Sequence, residues 1–170
     1  MEGTTSSGSD AKSSLHSALG AGNLDAVQSL LDRGADVNER NGSHQTPLHI
    51  GATEGKLEVA RLLIKHGADV NIPDQFGWTA LHYASRYGHP DVTRLLLDHG
   101  ADVHARQRRY WTALHLAVGN THLENVKILL ERGANVHVRN DDGRTPYELA
   151  IRWGEREMAG LLSGYSAHGV

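Results

Sequence analysis

Twelve histidines in 170 residues are the first side chains here that could do chemistry, and four of them, His16, His49, His82 and His115, recur every 33 positions. Two imidazoles on one zinc ion need ring nitrogens about 2.0–2.1 Å from the metal. Side chains that recur once per packed helix sit on axes about 8–10 Å apart. The register therefore predicts no metal site. His66, His89 and His99 fall outside it and read as solvated surface. The absence of cysteine excludes disulfides and thiolate ligands. Serine, histidine and aspartate are all present, but no nucleophile lies on a strained strand-to-helix elbow. Neither a phosphate-cradling glycine loop nor a two-histidine zinc helix appears. The Asp-Val-Asn stretches read as turns, not as carboxylate pairs. The residues predict no enzyme, no metal and no cofactor.

The histidines point instead to the elements that carry them. Trp78-Thr79-Ala80-Leu81-His82 returns as Trp111-Thr112-Ala113-Leu114-His115, preceded in register by Gln45-Thr46-Pro47-Leu48-His49 and Lys12-Ser13-Ser14-Leu15-His16 and followed by Arg144-Thr145-Pro146-Tyr147-Glu148. A second marker keeps the same step: Gly34-Ala35-Asp36-Val37-Asn38, Gly67-Ala68-Asp69-Val70-Asn71, Gly100-Ala101-Asp102-Val103-His104 and Gly133-Ala134-Asn135-Val136-His137. A period of 33 with Thr-Pro-Leu-His and Gly-Ala-Asp-Val-Asn resembles the ankyrin repeat over roughly 13–165. The resemblance implies an all-α solenoid of stacked helix-turn-helix units with short β-hairpin fingers. The units fall at about 12–40, 41–73, 74–106, 107–139 and 140–165, between a disordered tail at 1–11 and a short tail at 166–170.

Local chemistry agrees with that reading. Thr46-Pro47 and Thr145-Pro146 place a threonine N-cap before a proline whose missing N–H costs nothing at the first helical position. Ser13, Thr79 and Thr112 take the cap elsewhere. Ala18, Gly51, Ala84, Ala117 and Ala150 form a row of small residues suited to close approach of the first helices. The second helices carry the heavier core, as in Leu62-Leu63-Ile64 and Leu95-Leu96-Leu97. Three departures stand out. Thr121 occupies the inter-helix glycine position, and a β-branched residue resists positive φ, so the turn is expected to shift onto Asn120 or Gly119. His44 and Tyr110 replace the finger glycines Gly77 and Gly143, which puts those hairpins in question. Tyr147-Glu148 and Ser163 give the last unit the look of a polar terminal cap.

A net charge of -3 argues against bulk nucleic-acid binding. No apolar run approaches the roughly 20 residues that span a bilayer. A monomer in the cytoplasm or nucleus is expected. In the family that the chain resembles, the register histidine ties one unit to the next, and finger tips and first helices line a concave face that binds protein partners. That face here carries Phe76, Trp78, Arg86, Tyr87, Arg106, Arg108, Arg109, Tyr110, Trp111, Arg139, Arg144, Arg152 and Trp153. Arginine and aromatic residues are the types enriched in interface hot spots. The expected partner is a protein segment bearing acidic or aromatic side chains, bound by an inhibitor or an adaptor. The alternative is an RNA or nucleotide sensor using the same surface, since aromatic platforms beside arginines also stack bases. A tryptophan before the threonine is common in the family, where it packs on the neighbouring finger. That accounts for Trp78 and Trp111 but not for the arginines. Asn38 and Asn71, each eight positions after a leucine, resemble hydroxylation sites of the family; their other reading is stabilisation of the hairpin turn.

Overall fold

A computed structural model describes residues 14–168; the expected tail at 1–11 and the Ser13 cap lie outside the described residues. Among the described residues ten helices form five antiparallel pairs: α1 (Leu15–Gly20) with α2 (Leu24–Asp32), α3 (Pro47–Thr53) with α4 (Leu57–Lys65), α5 (Ala80–Tyr87) with α6 (Pro90–Asp98), α7 (Ala113–Gly119) with α8 (Leu123–Glu131), and α9 (Pro146–Trp153) with α10 (Arg156–His168). First helices stack on first helices and second on second, so each pair touches chiefly its neighbours. This is the one-dimensional logic of a solenoid. No described helix is long and apolar enough to cross a membrane.

The first helices begin where the sequence expects a cap, with one shift. The α1 cap is Ser14, whose hydroxyl accepts the Ser17 N–H at 3.1 Å. Thr46, Thr79, Thr112 and Thr145 hold extended backbone before the other four. Between the two helix rows lies the core, including Leu15, Leu48, Leu63, Leu81, Leu96, Leu114, Leu129 and Leu162, each almost fully buried. Burial of one such side chain is worth about 1.5–3 kcal/mol. At Gly51 the small residue serves a contact within the unit: an added Cβ would meet Val59 Cγ1 of α4 at 3.3 Å.

Several local expectations are corrected. The fingers contain no strand among the described residues; each is a tight loop, closed by Asn41 N–H to Gln45 O (3.0 Å), Asp74 N–H to Trp78 O (2.8 Å), Gln107 N–H to Trp111 O (3.1 Å) and Asn140 N–H to Arg144 O (3.0 Å). His44 at φ +60° and Tyr110 at φ +58° take the left-handed conformation of the glycines they replace, so all four loops keep one shape. Thr121 does likewise at φ +61°, and the turn does not move to Asn120 or Gly119. The reason is tertiary. At Gly55 and Gly88 an added Cβ would overlap the rings of His89 and His122 from the following unit, whereas the residue in that phase after Thr121 is Glu155. Helix α10 runs to His168, past the expected unit boundary at 165. The last unit is not a purely polar cap, because Tyr147 and Ile151 are 40% and 57% exposed where the preceding units bury Leu114 and Val118.

Candidate functional site

The register histidines are structural bolts. In each of His49, His82 and His115, Nδ1 accepts the backbone N–H of the capping threonine (2.9, 3.1 and 3.3 Å). Nε2 therefore carries the proton and donates to a finger carbonyl of the next unit: Trp78 O at 3.0 Å, Trp111 O at 3.3 Å and Arg144 O at 3.1 Å. His16 reaches Gln45 O in the same way at 2.9 Å. Burial depresses the pKa of all three inner histidines, that of His82 to about 4, because a charged imidazole there would lose its hydration. In the last unit Glu148 takes over, its carboxylate accepting the Thr145 N–H at 2.8 Å. That contact and Arg139 hold its pKa below the usual carboxylate range. No group of three or more potential metal ligands occurs among the described residues. His89 and His122, the first read as solvated, are also bolts: their Nε2 atoms meet Thr53 O and Arg86 O at 3.0 Å.

Finger shape is fixed by one side chain per loop. Asp74 accepts the N–H groups of Phe76 (2.8 Å) and Trp78 (2.9 Å), Asn41 those of Ser43 and Gln45, and Asn140 those of Asp142 and Arg144. Gln107 accepts from the Arg109 N–H in the loop of the fourth unit. Neighbouring tips are joined by Gln75 N–H to Ser43 O, Arg108 N–H to Phe76 O and Asp141 N–H to Arg109 O. These bonds set the spacing of everything the fingers carry. Asn38 and Asn71 also link units: Asn38 accepts the Asp69 N–H at 3.0 Å, and Asn71 accepts from Asp102 N–H and donates to Gly100 O.

Six of the thirteen candidate residues converge. Phe76, Trp78, Arg86, Arg108, Arg109 and Trp111, with Gln107 and Leu116, line a groove of about 350 Å³ between the third and fourth fingers and their first helices. The Arg86 guanidinium lies 5.2 Å from the Trp78 ring centroid and 5.7 Å from that of Tyr87, within cation–π range. Arg109 donates to Asp141 at 2.7 Å, and the Trp111 indole N–H donates to the same carboxylate at 3.1 Å. The Arg109 contact holds Asp141 below the usual carboxylate range.

The other seven lie elsewhere. Tyr87, Arg106 and Tyr110 are exposed and do not line the groove. Arg139 is drawn to Gly143 O and to the Glu148 carboxylate at 3.0 Å. Arg144 is half-buried, with its carbonyl held by His115. Arg152 and Trp153 are exposed on α9, outside the groove. Sequence reading missed Leu116 and Asp141. Leu116 shares the phase of Ile50 and Tyr83 and could have been found by comparing units; nothing in the sequence pattern marks Asp141.

The repeated caps, inter-unit histidines and paired helices agree with the comparison to known families: a model for ankyrin repeats (3 copies) matches residues 15–107 and 103–169. No curated protein matches the chain. With matches that together cover most of its length, the chain belongs to the ankyrin repeat family.

Proposed function

We propose that the chain is a non-enzymatic module that binds a partner protein through its concave face, centred on the groove between the third and fourth fingers. Ankyrin repeats are generally protein–protein interaction modules. The observation that carries the reading is that Phe76, Trp78, Arg86, Arg108 and Trp111, scattered over 36 positions of sequence, line one open groove. Three arginines and no carboxylate line it in a chain of net charge -3, which favours an acidic segment with an apolar side chain. Aromatic and arginine anchors bury large area at modest entropic cost. A cytoplasmic or nuclear adaptor or inhibitor fits these properties. The test is affinity capture with the wild-type chain, an Arg86→Ala/Arg108→Ala double variant and an Arg33→Ala control remote from the groove. Exposed arginines contribute only about 0.5 kcal/mol to stability, so the double variant should stay folded and lose its protein partner while the control keeps it. Undiminished capture by the double variant refutes the reading. Capture of RNA instead, with affinity collapsing as salt rises, replaces it with the nucleic-acid reading.

A further inference from the structure

Three junctions separate the last four fingers, and two of them are closed from within. Between the second and third units, Gln45 donates to the Tyr83 hydroxyl at 2.9 Å and that hydroxyl donates to Asp74 at 2.7 Å, so a polar chain bridges the cleft. Between the fourth and fifth, Asp141 closes the cleft by accepting from Arg109 and from the Trp111 indole N–H. The junction between the third and fourth units has lost both devices. Leu116 stands in the phase of Tyr83 and brings no hydroxyl; Gln107 stands in the phase of Asp74 and is spent on the Arg109 N–H. Most telling, Arg108 stands in the phase of Asp141. The tryptophan is still present as Trp78, but its carboxylate acceptor has become a cation. Among the described residues no acceptor is placed against the Trp78 indole N–H, and neither Arg86 nor Arg108 has a carboxylate partner, Arg86 lying instead over the Trp78 ring. This is the junction that remains open as the groove of about 350 Å³.

Resting on the protein-binding reading above, we infer that the junction between the third and fourth units takes from its partner the carboxylate that Asp141 supplies internally one unit later. An aspartate or glutamate side chain of an acidic segment accepts from the Trp78 indole N–H and pairs with Arg108 and Arg86, while a neighbouring apolar side chain covers Trp111, Leu116 and Phe76. Charge complementarity selects this occupant. The groove offers two guanidiniums and an indole donor, all of which can only donate, and charge-assisted bonds of this kind are shorter and stronger than neutral ones. A carboxylate is preferred to a phosphate because the chain's own copy of the arrangement is built with one.

The experiment follows the three indole N–H signals in proton–nitrogen correlation spectra of the full chain, with Trp78 assigned through Trp78→Phe. The probe is a synthetic peptide with one phenylalanine between two pairs of aspartates; its counterpart carries asparagines. The acidic peptide should move the Trp78 indole signal downfield and saturably, and leave that of Trp153, exposed on α9 outside the groove, in place. Trp78→Phe, which keeps a ring and deletes the donor, should weaken binding about tenfold, and Arg108→Asp, which installs the internal acceptor, should abolish it while shifting the Trp78 signal in the absence of peptide. An unmoved Trp78 signal, or an equal shift with the asparagine peptide, overturns the inference. Inorganic phosphate or single-stranded RNA producing the shift where the acidic peptide does not overturns it as well. If the peptide moves other groove signals and leaves Trp78 in place, docking on this face stands and the carboxylate site alone falls.

Discussion

Replacing Gly88 by alanine should cost more than its half-buried turn suggests, and the excess should belong to a residue 34 positions away. Gly88 has φ +74° and closes α5 in the left-handed conformation. An alanine held there is strained by about 1–2 kcal/mol. Its Cβ would also overlap the ring of His122, whose Nε2 meets Arg86 O at 3.0 Å. Displacing that ring loses a hydrogen bond worth about 0.5–1.5 kcal/mol. The total expected for Gly88→Ala is about 1.5–3.5 kcal/mol. In a His122→Ala background the ring is gone and only the backbone strain remains, about 1–2 kcal/mol. A double-mutant cycle, read from urea denaturation followed by circular dichroism, should therefore give a coupling of about 1 kcal/mol, where independent sites add to within about 0.3–0.5 kcal/mol. Coupling below about 0.3 kcal/mol would refute the claim that the next unit's histidine is what demands glycine here.

Thr121→Gly should stabilise by about 1 kcal/mol, because it relieves positive φ at a β-branched residue while losing some unfolded-state restriction; hydrogen exchange at this turn, faster than at Gly55 and Gly88 in the parent, should slow. Stability should be level above about pH 6.5 and fall as the pH drops toward about 4. The folded pKa of His82 lies at about 4, so the unfolded chain binds the proton first. That one group gives a slope of about 1.4 kcal/mol per pH unit, steepened by His49 and His115, and His82→Gln should flatten it; a urea midpoint that stays constant through this window would contradict the bolt geometry. Tyr83→Phe should cost about 1–2 kcal/mol by stranding Gln45 and Asp74. In the parent chain one tyrosine should ionise only near pH 12, and that late step should vanish from the absorbance titration of the variant.

The sequence alone determined what each unit repeats. A solenoid unit meets only its neighbours, so the same contacts recur at a fixed step and leave the same residues at that step. The threonine caps, Leu48, Leu81 and Leu114, the left-handed glycines and the register histidines were legible for that reason, and even the inter-unit role of His49 follows once the family pattern is seen. Tertiary structure alone decided what is not repeated. Which arginines are spent and which are open depends on partners that periodicity does not name: Arg109 is held by Asp141 and Arg139 by Glu148, whereas Arg86 lies over the Trp78 ring and meets no carboxylate. The same holds for backbone exceptions. Local rules move the turn away from Thr121 and distrust Tyr110 and His44, yet all three take positive φ. The packed neighbours fix the path of the chain, and a strain of one or two kcal/mol is small beside the stacking interfaces that impose it.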